Sequence, residues 1–404
     1  VRGLVKQDRL RALVLWSGKS GFIAGADIAV IEAIFDPVAG AEASRSGQAV
    51  FGLLSKIGVP SIAAVHGICL GGGTEMALAC SHRVASDSPK TQMGFPEVLL
   101  GILPAWGGTS RLSRLVGLGV SLDMLLTGRR VSASRARRIG LVDEVFPADL
   151  FREKAAAFAM ERADDVVSAA GCRLPLLKRL IDGTRFGRGI VLSVSRRRVQ
   201  TQTDGHYPAP LKILEVLRRA VGQPLSTALE IEAEAAGELV ASSVSKNLIH
   251  VFRLREEARK GKAIGDRTVQ PGGVEYLGVV GAGVMGGGIA QLAAHRGINV
   301  RMKDIRQEAI SSGLKHASRI FDNLVLRKKL RRRQAVQSMS LITGGVDYEG
   351  FGRLDLVVEA VVEKMAVKRI VLRETEEAVG RHCVLATNTS SLSVDEMASS
   401  LSRP

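Results

Sequence analysis

Apolar positions along the chain fall into short, nearly unbroken runs and longer runs of helical spacing. Runs of strand length occur at 11–17, 59–65, 83–86, 275–280 and 299–304, and most lead into a turn or a glycine-bearing loop. Between them, 30–57 alternates apolar and polar groups at helical spacing. Leu122 to Gly128 and Ala133 to Val142 do the same, with stops at Thr127-Gly128 and Gly140. A strand, loop and helix repeat is therefore predicted near the start of the chain and again after residue 275. Leu225, Leu229, Ile231, Ala235, Leu239, Val240, Leu248, Ile249 and Phe252 keep one apolar face, which predicts a single long amphipathic helix bridging two domains. The charged, glycine-containing stretch 256–271 reads as a linker.

Length and composition narrow this. With 404 residues and 46% hydrophobic content, the chain has material for two or more domains with their own cores. The net charge of +16 suits either a solvated basic surface or the attraction of polyanionic ligands. Aromatics are only 4%, and no base-stacking motif accompanies the charge, so nucleic acid is not expected. The basic runs Arg196 to Arg198 and Arg327 to Arg333 are expected to be solvated helix faces. Cys69, Cys80, Cys172 and Cys383 lack metal or redox spacing and read as reduced, buried cysteines. The uncharged runs 57–74 and 277–294 approach a membrane span in length, but their glycines favour a buried strand followed by a ligand loop. No transmembrane segment or signal peptide is expected. The chain opens on Val1 within a patterned segment, and reads as a fragment.

The densest candidate chemistry lies between His66 and Glu97. Gly71, Gly72 and Gly73 bare the backbone where an apolar strand gives way to a helical pattern, so amides there can approach a ligand closely. Glu75 falls in the first helical turn, and Glu97 follows in a Gly94-Phe95-Pro96-Glu97 turn. Amides that can hold an oxyanion beside two carboxylates suit acid–base work on a carbonyl compound. His66 and Asp27 are expected to be structural, Asp27 as a helix cap. The residues His66-Gly-Ile-Cys-Leu-Gly-Gly-Gly-Thr-Glu75, Pro96-Glu97-Val98, Leu103 to Leu112, Leu141 to Val145 and Phe22 to Ile28 resemble the crotonase, or enoyl-CoA hydratase/isomerase, superfamily. The resemblance implies that the amides of Ala26 and Gly72 hold a thioester oxygen while Glu75 and Glu97 handle water and proton. Ala105 and Trp106 depart from the glycines usual in that family, leaving the Ala105 amide for a water contact and altering the acyl pocket.

A second site is predicted after residue 275. Gly281-Ala-Gly283-Val-Met-Gly286 follows a strand and opens a helix, and Asp304 ends the next strand 23 residues after Gly281. That spacing places a carboxylate at an adenosine ribose and favours NAD, although Arg301, Lys303 and Arg306 stand nearby. Asp355 to Glu363 and Asn388 to Leu392 resemble the 3-hydroxyacyl-CoA dehydrogenase family. That resemblance implies Glu363 and Lys368 near the nicotinamide and Ser390 and Asn388 near the reacting hydroxyl. Asn388 and Ser390 also fit ordinary turn positions. The family's catalytic histidine would follow Pro404, so this half is expected to bind NAD without turning over by itself.

The expected class is thus α/β: a crotonase-like domain of ββα repeats over 1–150, a helical extension and linker over 151–272, and a doubly wound parallel sheet of Rossmann type over 273–404. The two resemblances in this order are similar to the alpha subunit of the fatty-acid beta-oxidation multienzyme. They imply an acyl-CoA substrate, an oligomer with a thiolase subunit, and a bacterial cytoplasmic or mitochondrial matrix location. Double-bond isomerisation, a catalytically dead fragment and a basic RNA-binding protein of the same fold stand as rivals.

Overall fold

A computed structural model describes residues 10–163, 184–259 and 272–404, in two compact units, Val1–Gly265 and Asp266–Pro404. Cys172 and most of the expected linker lie outside the described residues. In the first unit, β1 (Leu13–Leu15), β2 (Ser61–Val65), β4 (His82–Ser86) and β7 (Glu144–Phe146) form a parallel sheet in the order β1-β2-β4-β7. A smaller sheet pairs β3 (Ile68–Leu70) with β5 (Gln92–Gly94) and β6 (Arg130–Ser132), the last antiparallel. Every residue of β2 is buried, as expected for a central parallel strand covered on both faces.

The run at 30–57 folds as two helices, Ile28–Glu32 and Pro37–Gly52, because Asp36 caps and Pro37 starts a fresh helix after a break. Asp27 caps the first by accepting from the Ala29 amide at 2.9 Å.

The long helix expected over 225–252 is instead two, Leu225–Val240 and Ser243–Arg259, with the Ser242 hydroxyl accepting from the Ser245 amide at the break. Nor is the first of them a bridge. It packs on the helix Pro37–Gly52 so closely that a Cβ on Gly237 would lie 2.1 Å from the Pro37 carbonyl oxygen. Its residues Ala228, Ile231, Ala235, Ala236, Leu239 and Val240 join the same core as β2 and β3. The Lys246 ammonium of the second helix donates to the carbonyls of Ile31 and Glu32, anchoring the short helix that follows Ala26. These helices are part of the first unit.

The second unit is one parallel sheet in the order β10-β9-β8-β11-β12, from β8 (Tyr276–Val280), β9 (Asn299–Lys303), β10 (Ile342–Gly345), β11 (Leu356–Glu359) and β12 (Val384–Thr387). The order reverses between β8 and β11, which makes the carboxyl ends of those strands the ligand crevice of a doubly wound sheet. Arg327 to Arg331 form an exposed turn between the helices Gln307–Leu326 and Arg332–Met339, with Lys328 at φ 55°, so most of this basic run is a solvated turn rather than a helix face. Among the described residues no helix is long and apolar enough to cross a membrane.

Candidate active site

Parallel pairing brings the two oxyanion candidates together. The Phe22 amide donates to Ile68 O and the Leu70 amide to Ile23 O, so the chain at 22–26 runs beside β3. Gly25 turns at φ +104° and Gly71 at φ +55°, conformations that a side chain would strain. A Cβ on Gly72 would lie 3.8 Å from the Ala26 nitrogen, which sets the two residues beside each other. Gly72 is the first residue of the helix Gly72–Ala79, so its N–H has no partner within that helix. Gly73 lets this helix lie against the Ile23 carbonyl, 2.4 Å from where a Cβ would stand.

Both glutamates reach this floor. Glu97 starts the short turn of helix Pro96–Leu100 that Gly101 closes, and its Oε1 lies 2.6 Å from the position of a Cβ on Gly71. Its other oxygen, Oε2, is enclosed without a hydrogen-bond partner. Burial pushes the Glu97 carboxyl up to about 8. Glu75 is buried, and its Oε1 accepts from the amides of Trp106 and Gly108, both at 2.7 Å. Burial, then the facing charges of Glu97 and Glu232, hold its carboxyl well above the usual range against those two amides. Two facing carboxyls enclosed together titrate as a pair, and the state holding one proton supplies an acid and a base.

The loop at 105–108 differs from expectation. Ala105 presents its carbonyl to Ser44 and Gln48, while the amides that meet Glu75 belong to Trp106 and Gly108. A Cβ on Gly108 would sit 2.7 Å from Glu75 Oε1, so glycine is required where the carboxylate meets the chain. The Trp106 ring stands edge-on to Phe51 at 5.5 Å and within 2.7 Å of a Cβ position on Gly72, walling one side of the floor. His66 stacks on Trp16 at 4.6 Å and bonds the Lys19 carbonyl, a structural placement.

Sequence reasoning missed Glu232. It is fully buried on the helix Leu225–Val240, 125 residues from Gly107, whose amide it accepts at 2.5 Å. No spacing rule points to a partner that remote, and at 225–240 the apolar periodicity draws attention away from the polar positions.

These carboxyls give the first unit a definite pH response. Folding raises Glu97 from 4.5 to about 8 and Glu232 from 4.5 to about 7. A raised carboxyl binds protons in the folded state, so its contribution to stability is present below pH 4.5 and is lost as pH rises through the folded value. Stability of this unit is expected to fall between pH 4.5 and about 8, by at most ~1.4 kcal/mol per pH unit for each carboxyl. Both tryptophans, Trp16 and Trp106, lie in this unit, so fluorescence-detected guanidinium unfolding reads it alone. A slope that Glu97→Gln leaves untouched would remove Glu97 as its source.

In the second unit the glycine loop has the shape a dinucleotide requires. A Cβ on Gly286 would lie 1.8 Å from Gly281 O, and one on Gly281 at φ +104° would lie 2.6 Å from Ala360 O. A Cβ on Gly283 meets nothing within 4 Å, which leaves the amide end of the helix Val284–His295 open to a pyrophosphate. Asp304 directly follows β9 and accepts from the Ala282 amide at 2.7 Å, fixing the carboxylate beside that loop. Two of the nearby cations are engaged elsewhere: Arg301 pairs with Asp347 and donates to Glu349 O, and Lys303 covers the Tyr348 ring at 4.3 Å, while Arg306 stays exposed at the start of the helix Gln307–Leu326. The residues fit NAD.

At the ends of β11 and β12, Lys368 is fully buried and bonds both oxygens of buried Glu359 at 2.9 Å. It also meets Glu363 Oε2 at 3.2 Å. Glu363 accepts from the Thr389 hydroxyl, from the Ser390 amide at 3.1 Å and from Ser391. The Thr389 hydroxyl first, then the Ser390 amide and Lys368, hold its carboxyl down to about 2 against a smaller opposing desolvation. Thr387 completes the cluster through Glu359, and the Asn388 amide donates to Glu359 O, leaving Asn388 and Ser390 exposed at the strand end. Glu359 was not foreseen, because in sequence it closes the apolar run Leu356–Val358 like any strand-end carboxylate.

Comparison with known proteins finds a family match in each unit. Residues 4–171 match the enoyl-CoA hydratase/isomerase family, and residues 276–404 match the NAD binding domain of 3-hydroxyacyl-CoA dehydrogenase. The fatty acid oxidation complex subunit alpha of Shewanella loihica is 39% identical over 99% of this chain, and that of Shewanella baltica is 38% identical over the same share. The chain spans 56% of the length of each. A solved (S)-3-hydroxybutyryl-CoA dehydrogenase from Ralstonia eutropha is 34% identical over 32% of this chain and 46% of its own, with a TM-score of 0.32.

Proposed function

The chain belongs to the family of fused hydratase/dehydrogenase alpha subunits of fatty acid oxidation, and from that premise we propose that its first unit hydrates trans-2-enoyl-CoA to 3-hydroxyacyl-CoA. The observation that carries this reading is the enclosed pair Glu75 and Glu97 beside the amides of Ala26 and Gly72.

The thioester oxygen lies against the Ala26 and Gly72 amides, which take up the negative charge as the enolate develops. A donor of this kind contributes about 3 kcal/mol in acyl-transfer enzymes. Water adds its oxygen to C3 and loses a proton to the carboxylate of the pair, while the carboxylic acid gives a proton to C2. Glu97, whose Oε2 is enclosed and unpartnered, is the acid; Glu75, held by two amides, is the base. Retention of both glutamates favours hydration over isomerisation alone, which needs one carboxylate.

The second unit binds NAD through Gly281, Gly283, Gly286 and Asp304, with Glu363 and Lys368 at the nicotinamide end. Bound there, NAD would supply the hydride acceptor for oxidation at a 3-hydroxy carbon. Ser390 and Asn388 would meet the substrate hydroxyl from the end of β12. With this reading we propose an oligomeric assembly with a thiolase subunit and a cytoplasmic location; the relatives' names support only membership of a complex.

The test is direct. On mixing with crotonyl-CoA, the absorbance of the conjugated thioester should decay catalytically, with 3-hydroxybutyryl-CoA as product. No decay with folded protein would overturn the reading, and a salt-dependent shift of RNA in its place would favour the nucleic-acid alternative.

A further inference from the structure

Two buried carboxylates grip one loop from opposite sides. The amides of Trp106 and Gly108 go to Glu75, and those of Gly107 and Ser110 go to Glu232, at 2.5 and 2.8 Å. Successive N–H groups at the start of the helix Gly108–Val116 thus alternate between a carboxylate of the candidate site and one on the helix Leu225–Val240. Three more bonds fasten that helix to the same loop. The Gln48 amide spans Ala105 O and Leu229 O at 3.0 Å each, and the Ser110 hydroxyl donates to Ala228 O. Gly107, at φ +101°, leaves no room for a side chain beside Arg111.

We propose that Glu232 is a positioning residue of the hydratase site, holding the 106–110 loop in the one arrangement that delivers two amides to Glu75. The proposal rests on the hydration reading for its kinetic consequence but not for its geometry. Glu232 touches no substrate. Its effect passes through the loop and through its charge, which faces Glu75. The other charged group facing Glu232 is Arg111 of the helix Gly108–Val116, whose guanidinium donates to Trp106 O at 2.8 Å. Glu230 and Glu234, on the same helix as Glu232, point outward to Arg45 and Arg219. Glu97 acts on Glu75 from the other side.

Glu232→Gln keeps the volume but turns one acceptor into a donor facing either Gly107 or Ser110. It also removes a negative charge that opposes ionisation of Glu75. In the full chain, kcat for crotonyl-CoA is expected to fall by roughly 10- to 100-fold, the scale of a displaced reacting group, with KM changed far less. The Glu75 carboxyl, followed by 13C NMR of glutamate-labelled protein and assigned by its loss in Glu75→Gln, should titrate at lower pH. Glu232→Asp keeps charge and both acceptors but is one methylene short, so it should lower kcat while leaving that titration nearly in place. Unchanged kcat and unchanged titration in folded Glu232→Gln would overturn the proposal. If Glu232→Gln does not fold, an unchanged kcat in Glu232→Asp overturns it. Should the wild type not hydrate crotonyl-CoA, the hydration reading falls, and the Glu75 titration still decides whether Glu232 acts on it.

Discussion

Replacing Glu97 by Gln is expected to lower kcat for crotonyl-CoA hydration by about 10²- to 10⁴-fold, the range in which a positioned proton donor contributes. The amide keeps the shape of the side chain but cannot give a proton to C2. Because Glu97 Oε2 has no hydrogen-bond partner to lose, the substitution leaves no new buried polar group stranded, and the fold should be retained. Glu75→Gln should cost a similar factor by another route. Its Oε1 takes two amides, and an amide group there either turns a donor toward them or surrenders the basic oxygen. Rates are read from the absorbance of the conjugated thioester with far-UV circular dichroism as the control for folding. Wild-type rates in both variants would sink the assignment of the pair.

The second large effect concerns stability. Lys368→Met removes the cation that lies between Glu359 and Glu363, leaving Glu359 buried at 1% exposure with no countercharge. Breaking one partner out of a buried pair costs about 3–5 kcal/mol. A loss of that size would remove much of a small domain's stability. Hydrogen exchange of peptides from β8, β11 and β12 should accelerate, and NAD affinity should fall with it. The double replacement Lys368→Met, Glu359→Leu should recover much of the loss, since an apolar pair of similar volume needs no countercharge. Protection in Lys368→Met equal to wild type would show that the network carries little of the stability.

The sequence carried the chemistry that is local and left out what depends on distant pairing. Gly71 to Gly73, Glu75 and Glu97 stood out because backbone freedom and charge coincide within a short stretch, and the structure sets them around one floor. The β8 glycine loop and Asp304 were equally legible, since strand, turn and helix fix their spacing. Glu232 and Glu359 were not, because each draws its meaning from a buried partner that sequence separation conceals. The break at Ala241 and Ser242 was hidden because apolar residues on both sides keep nearly the same phase, and only the Ser242 side chain, which caps the start of the second helix, marks it. The role of the Trp106 amide was also hidden, because Ala105 and Trp106 differ from the usual glycines in their side chains, whereas the carboxylate reads only the main chain.

The close seat of the helix Leu225–Val240 bears on how such a protein can be taken apart. The match to the hydratase/isomerase family ends at residue 171, yet Glu232, Gln48's partner Leu229 and the Tyr207 hydroxyl that donates to Val98 O all lie beyond it and all belong to the first unit. An expression clone cut at 171 would deprive the loop at 106–110 of half its acceptors. The smallest portable form of the candidate site therefore extends at least through the helix Leu225–Val240, and recombination that exchanged only the matched segment would carry off the carboxylates without the grip that aims them.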